Sequence, residues 1–438
     1  MIRKDNSMVD LNSRVIRIRV SIKHLLFYAW GALLVFTSNT LYGWKGRISI
    51  ISQIMLLVVS IIIVLISWST TRVSTAALTL WLTWMAILFF TYIAISIHSG
   101  VYSRSYLIWD CIAAITPLML LLEKKNGELS NLLRSFVNLM VITSVVTIIV
   151  WILGPILRIL HVTEYIENTW NSMGTLAYTP GYYGLVYETQ ILKILNYNLI
   201  RNTAFFVEAP MFSFALCVAL IFEGWENSAR TPIVAIIVCA IVSSASTTGL
   251  IFVLLATVFH VASNGRNLTN RYGSASVILF GIMLAIVAVF LGRIALIEKL
   301  SSTSGSTRID DFIAGYRAWK DAPLLGHGFG GISAYRDYIS SFRANNIGFS
   351  NGPFAVLIIG GVLLMVPYAI GFLSYAFSES SWQRFCGILA VYLWLITIVH
   401  SLPLTSVLLS LGNLSIMKVL DSSSYQLEGM SENSLLRK

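Results

Sequence analysis

Charge is scarce in this chain. Only 11% of its 438 residues are Asp, Glu, Lys or Arg, while 56% are hydrophobic, a balance that excludes an ordinary soluble domain. Cysteine is scarcer still. Cys111, Cys217, Cys239 and Cys386 all sit in apolar runs with no CxxC pair, which excludes a disulfide framework and a zinc ribbon. The six histidines form no HExxH or HxxxH pattern, so the sequence carries no helical metal motif. No segment repeats, which argues against a transporter built from two related halves. The basic start, MIRKDNSMVDLNSRVIRIRV, leads into an apolar run without a small-residue cleavage site, so that run is expected to stay as a first span rather than leave as a signal peptide.

What remains is mostly hydrocarbon. Apolar runs of about 20 residues, each able to cross a core roughly 30 Å thick, recur along the chain. The sequence predicts an all-α polytopic membrane protein. Twelve spans are expected, at 24–41, 48–68, 75–97, 105–122, 136–160, 204–223, 231–246, 248–263, 274–292, 351–378, 384–402 and 404–420. Residues 1–23 form a basic N-terminal stretch and 421–438 a polar tail expected to be loose. The transmembrane domain carries two long loops, 161–203 and 293–350.

Lys and Arg set the orientation. With the N-terminus inside, short cytoplasmic loops receive Arg72, Lys124, Lys125, Arg134, Arg230, Arg266, Arg271 and Arg384, while short outer loops receive only Lys45, Arg47 and Arg104. Both termini are therefore expected in the cytoplasm and both long loops outside. The second loop holds Arg293, Lys299, Arg308, Arg317, Lys320, Arg336 and Arg343, with Asp310, Asp311, Asp321 and Asp337 between them. Long loops cross whatever their charge, so these arginines do not oppose the topology.

Several polar residues then fall at one outer depth. Asp110 lies about one turn inside the fourth span, where it could pair with Arg104. Glu208 starts the sixth, just before Pro210, with Arg201 immediately outside. The Ser/Thr turn Ser243–Gly249, Asn351 at re-entry and His400 share that depth. A carboxylate inside a span is costly and marks a functional candidate. In RIDDFIAGYRAW, Ile309, Phe312, Ile313, Tyr316 and Trp319 recur near helical spacing. This predicts a short amphipathic helix on the membrane surface, started by Arg308, with Arg317 on an adjoining face. PLLGHGFGG ends it, with His327 as a candidate proton carrier. Its resemblance to GxGxxG is superficial because no strand precedes it.

Four stretches carry a family resemblance: RNTAFFVEAPMF, SSASTTGLIFVLLA, TRIDDFIAGYRAWKDAPLLGHGFGG and GFSNGPFAVLIIGG. In order and spacing they resemble the Wzy-type polysaccharide polymerases of bacterial envelopes and their relatives, the O-antigen ligases. The match spans roughly 200–365; the N-terminal half agrees in hydropathy alone. Departures are Ser350 where ligases carry a His, Thr248 where an Arg is frequent, and Ala209 between Glu208 and Pro210. The resemblance implies a C-type membrane glycosyltransferase in the cytoplasmic membrane with its active site facing outward. Its substrates would be undecaprenyl-diphosphate-linked glycans within membrane lipid. It implies flippase and chain-length regulator proteins as partners, no nucleic acid, no metal and no cofactor. It assigns Arg201, Arg308 and Arg317 to the diphosphate, Glu208 and then Asp110 to proton removal, and Asn351, Trp319 and His327 to substrate binding. The alternatives are a ligase and a flippase for lipid-linked oligosaccharides.

Overall fold

The structure is a computed structural model. It describes residues 21–44, 46–167, 178–194, 197–226, 229–272, 303–343, 348–397 and 399–435. Most of the N-terminal basic stretch, Arg293, Lys299 and the span expected at 274–292 lie outside the described residues.

The chain is predominantly helical: α1 (Ile22–Phe36), α2 (Gly46–Trp68), α3 (Thr75–Ser99), α4 (Arg104–Lys125), α5 (Leu129–Trp151), α6 (Ala209–Gly224), α7 (Thr231–Ser244), α8 (Thr247–Tyr272), α9 (Thr303–Asp321), α10 (Gly352–Leu373), α11 (Ser381–Ile396) and α12 (Pro403–Leu435). Among the described residues six helical segments, α2 to α5, α10 and α12, are long and apolar enough to cross a membrane, and α1, α6, α7, α8 and α11 are shorter apolar helices. The protein is thus a multi-pass membrane protein by length and composition. Local signals set the ends. Ser74, Ser103 and Ser380 cap α3, α4 and α11 by accepting the amides of Ala77, Tyr106 and Gln383. Pro210, Pro232 and Pro353 stand in the first turns of α6, α7 and α10, where a missing N–H costs nothing.

α4 and α12 are the inner helices. α4 packs against α2, α3, α5 and α12, and α12 also lies against α3 and α10. Peripheral helices turn large aliphatics outward. On α2, Ile51, Met55, Val58 and Leu65 are exposed while Ser52, Ser60 and Ser67 are buried. Lipid removes the hydrophobic penalty for exposing the former, and small residues let helices approach closely.

Three expectations need correction. The 161–203 loop is not featureless. It forms a three-stranded antiparallel sheet, β1 (Glu164–Glu167), β2 (Tyr178–Tyr182) and β3 (Val186–Tyr187), then a hairpin of β4 (Ile191–Ile194) and β5 (Tyr197–Ile200). These short strands carry little alternating pattern, so composition hides them. The polar tail is helical to Leu435, and Asp421 there accepts Lys125 Nζ at 2.7 Å and the Ser74 amide at 2.9 Å. The amphipathic helix α9 does exist, but it lies side by side with the first half of α10. Asp311 meets Ser350, Gly315 packs on Phe354, and Pro323 reaches Val362, a constant sequence offset that makes the two helices parallel.

Ion pairs gather at one end of the bundle: Lys23–Glu123, Lys124–Glu226, Lys125–Asp421, Arg230–Glu223 and Lys418–Glu379. The long loops and nearly all the candidate site residues occupy the other end.

Candidate active site around Arg201

The segment after β5 is stitched to the end of α7. The Asn202 amide donates to Ser243 O at 3.1 Å, and Asn202 Nδ2 to Ser243 Oγ at 3.0 Å. α7 ends at Ala245, which is left-handed (φ 47°), so its last carbonyls have no intrahelical partner. Arg201 takes them. Its Nε donates to Ser244 O at 2.9 Å and Nη2 to Ala245 O at 3.2 Å, while Nη1 donates to Gln190 Oε1 at 3.0 Å. The negative end of a helix dipole suits a cation. A guanidinium has five N–H donors; three are engaged, and two are left over among the described residues. Burial pulls the Arg201 guanidinium down to about 10, opposed by the nearby Glu208 carboxylate. It therefore stays charged at neutral pH.

Glu208 precedes α6 in extended conformation and does not cap the helix with its side chain. Its carboxylate accepts Gln190 Nε2 at 3.4 Å, and Gln190 Oε1 also accepts the Ala209 amide at 3.2 Å. One amide side chain therefore links the candidate phosphate-binding cation to the candidate base. Gln190 was not legible as a site residue, since nothing in YETQIL distinguishes it from any loop glutamine.

The Ser/Thr turn is reached from the second long loop as well. Tyr392 on α11 donates its hydroxyl to Thr248 O at 3.1 Å, and Arg308 lies within electrostatic range of Tyr392. Arg201 and Arg308 thus approach the 244–248 turn from separate loops. Arg308 is half-buried and has no ion-pair partner among the described residues. Tyr392 is a second residue the sequence did not flag.

Other candidates are placed elsewhere. Arg317 is exposed on α9 and is not brought to Arg201. Trp319 Nε1 donates to Pro323 O at 3.1 Å, and its ring meets Tyr316 edge-on. His327 Nε2 lies 2.8 Å from Ala318 O and its amide donates to Ile358 O at 2.7 Å, so it fastens the turn after α9. Asn351 caps α10 through Phe354 N at 3.0 Å. No ion pair joins Asp110 to Arg104 among the described residues. Asp110 is buried on α4 in a different cluster, one turn from Tyr106, whose hydroxyl meets His400 Nε2 at 2.8 Å; Tyr368 donates to His400 O at 2.7 Å. α4 does not pack on α7 or α8, and the shared depth read from the sequence does not make Asp110 a neighbour of Arg201.

Asp310 and Asp311 are spoken for. Arg343 is fully buried and pairs with Asp311 at 2.6 Å and Asp310 at 3.3 Å, and its Nη2 also donates to Gly348 O. Ser350 donates to Asp311 Oδ2 from its amide (2.9 Å) and hydroxyl (2.6 Å), and Ser340 donates to Asp310. Burial works against ionised Asp310, but the bonds from Ser340 and Arg343 hold it below the usual carboxylate range.

Residues 232–369 match the family model described as O-antigen ligase. Over that segment the chain is similar to the O-antigen polymerase/ligase superfamily. The match covers just under a third of the chain. It takes in nearly all of α7, then α8, α9 and most of α10, and so the Ser/Thr turn, Arg308 and the Arg343 cluster. Arg201, Glu208 and Gln190 lie before it. Comparison with curated proteins and with solved structures gives no match.

Proposed function

We propose that the protein polymerises lipid-linked oligosaccharide repeat units on the outer face of the cytoplasmic membrane. The observation that carries this is Arg201: its guanidinium is oriented by three neutral acceptors, two donors remain, and Gln190 ties it to Glu208. In the reaction an acceptor hydroxyl attacks the anomeric carbon of a glycan on undecaprenyl diphosphate. A new glycosidic bond forms, the bond to the diphosphate breaks, and the configuration inverts. The proton leaves the hydroxyl for Glu208. Charge develops on the departing diphosphate, where oriented arginines act most strongly. Arg201 and Arg308 supply it, bidentate geometry suiting phosphate oxygens, and Arg317 stands further out along α9. Asp310 and Asp311 are already engaged by Arg343, which supports arginine rather than metal as the counter-charge.

The outward orientation rests on the basic, ion-paired end of the bundle facing the cytoplasm. A second reading, transfer of a finished chain to another lipid, is favoured by the description of the matched family. Ser350 speaks against it: the site where ligases carry a His holds a hydroxyl donated to Asp311.

The deciding experiment deletes the gene and resolves surface glycan and lipid-linked intermediates on gels. Single repeat units on the outer leaflet without polymer support polymerisation. Long polymer retained on the lipid diphosphate would establish the ligase reading. Repeat units held on the cytoplasmic leaflet would overturn both.

A further inference from the structure

The outer sheet presents an unusual surface. In β1 and β2, Tyr165 lies opposite Pro180 and Glu167 opposite Tyr178. Period-two alternation puts all four side chains on one face. Tyr165 and Tyr178 are each 67% exposed, and as diagonal neighbours their Cβ atoms sit about 7 Å apart. Tyr183, 58% exposed, stands at the β2–β3 turn with a left-handed φ of 55°, a conformation that bulky residues rarely adopt.

The sheet is anchored at two points. At the end of β2, Tyr182 is fully buried and bonded to Arg158 (2.7 Å) and Glu188 (2.7 Å), and on the opposite face Tyr187 is bonded to Tyr42 (2.5 Å) and Glu164 (3.1 Å). The exposed rings are therefore held in place by the bundle.

We infer that this face of the outer sheet binds the sugar chain of the substrate, as a stacking subsite remote from the bond being made. The inference rests on the polymerase reading. Three observations choose a glycan as occupant. The exposed groups are aromatic rings and a proline rather than the aliphatics that α2 turns outward, and a ring's negative face attracts the electropositive C–H face of a pyranose. The Glu167 side chain falls on the same face as the rings; a carboxylate there accepts sugar hydroxyls and repels phosphate headgroups. The sheet is also continuous with the site: the Glu188 amide donates to Pro180 O at 3.0 Å, and Gln190, two residues on, holds Arg201. A chain stacked on the sheet is thereby led toward the reacting end.

The test uses full-length protein in lipid nanodiscs and free oligosaccharide released by mild acid from the host's own lipid-linked intermediates, read by saturation-transfer NMR. The Tyr165→Ala/Tyr178→Ala and Tyr165→Leu/Tyr178→Leu pairs are expected to weaken binding about ten-fold, and the Phe pair to retain it. In cells the Ala pair is expected to give shorter polymer at an unchanged protein level. No binding by the wild type, or equal binding in the Leu and Phe pairs, would overturn the inference. The Leu and Ala pairs are expected to be retained equally in the membrane; if Leu restores retention that Ala loses, the face is a lipid anchor and the inference fails. The polymerase reading fails separately, when gene deletion leaves polymer intact.

Discussion

The backbone amide of Gly328 donates to the carbonyl of Ile359 at 2.8 Å, joining the loop after α9 to the interior of a long apolar helix. α10 is broken there: Gly361 has φ 59° and ψ −156°. The break exposes carbonyls on one side and amides on the other, which hydrocarbon cannot satisfy. The turn after α9 supplies the partners. His327 and Gly328 donate to Ile358 and Ile359, and Pro323 and Leu324 accept from Val362 and Leu363. PLLGHGFGG is thus a splint for a broken helix.

Gly361→Ala is expected to destabilise the protein by about 1–3 kcal/mol from backbone strain alone. A new Cβ would also stand 2.4 Å from Leu324 C and O, with no flexible atom to yield. Gly330→Ala, with nothing within 4 Å, is the control. Thermal inactivation in detergent should separate the two; equal midpoints would show that the splint is dispensable.

Arg343 was read as one loop cation among seven, yet it is the buried one. Arg343→Ala leaves Asp310 and Asp311 facing each other without a counter-charge, an expected loss of about 3–5 kcal/mol. Arg317→Ala, at an exposed site, is expected to stay within about 0.5 kcal/mol. Acid should act on the same cluster. Asp310 titrates below its ordinary value of about 3.9, so its contribution is complete above that value and lost as pH falls through the folded one. Protection of the amides of residues 331–343, relative to their intrinsic exchange rates, is expected to fall below about pH 4 and to be flat from there to neutrality. Protection that changes instead between pH 5 and 7 would point to another group.

Much of this was legible. Apolar runs located most of the described apolar helices, although α5 begins seven residues earlier than expected and α8 and α12 run well past their expected ends, and the later three of the four resemblance stretches fall on the segment that the O-antigen ligase model matches. Arg201, Glu208 and the Ser/Thr turn, read at one depth from order along the chain, also lie near one another in the structure. Lateral position is not. Asp110 and His400 share that depth but belong to another helix cluster, since which helices are neighbours depends on packing. Gln190 was hidden for the same reason: its role is a distance, not a residue type. The burial of Arg343 and the backbone contacts of His327 were hidden too, because exposure of a loop residue has no sequence signature when the loop folds back on a helix.

Orientation can be checked directly. Ser333 is exposed on the loop between α9 and α10. Ser333→Cys in a cysteine-free background is expected to react with an impermeant thiol reagent added to whole spheroplasts. Ser380→Cys, at the other end of α10, should react only after lysis. The reverse pattern would invert the topology and put the arginines in the cytoplasm.

The Arg201–Gln190–Glu208 chain makes the sharpest kinetic forecast. Arg201→Lys keeps the charge but cannot reach the Ser244 and Ala245 carbonyls while offering two further donors in a plane. Transfer is expected to fall about 10²–10³-fold with membrane levels unchanged. Gln190→Leu removes the acceptor from Nη1 and the donor to Glu208 together. If Gln190 acts by positioning both groups, kcat falls and KM for the lipid-linked donor changes little. Gln190→Glu instead places a carboxylate against Arg201. That ion pair competes with diphosphate, so KM should rise more than kcat falls. Wild-type KM in the Glu variant would mean that Arg201 does not bind the diphosphate, and the counter-charge would then have to come from Arg308.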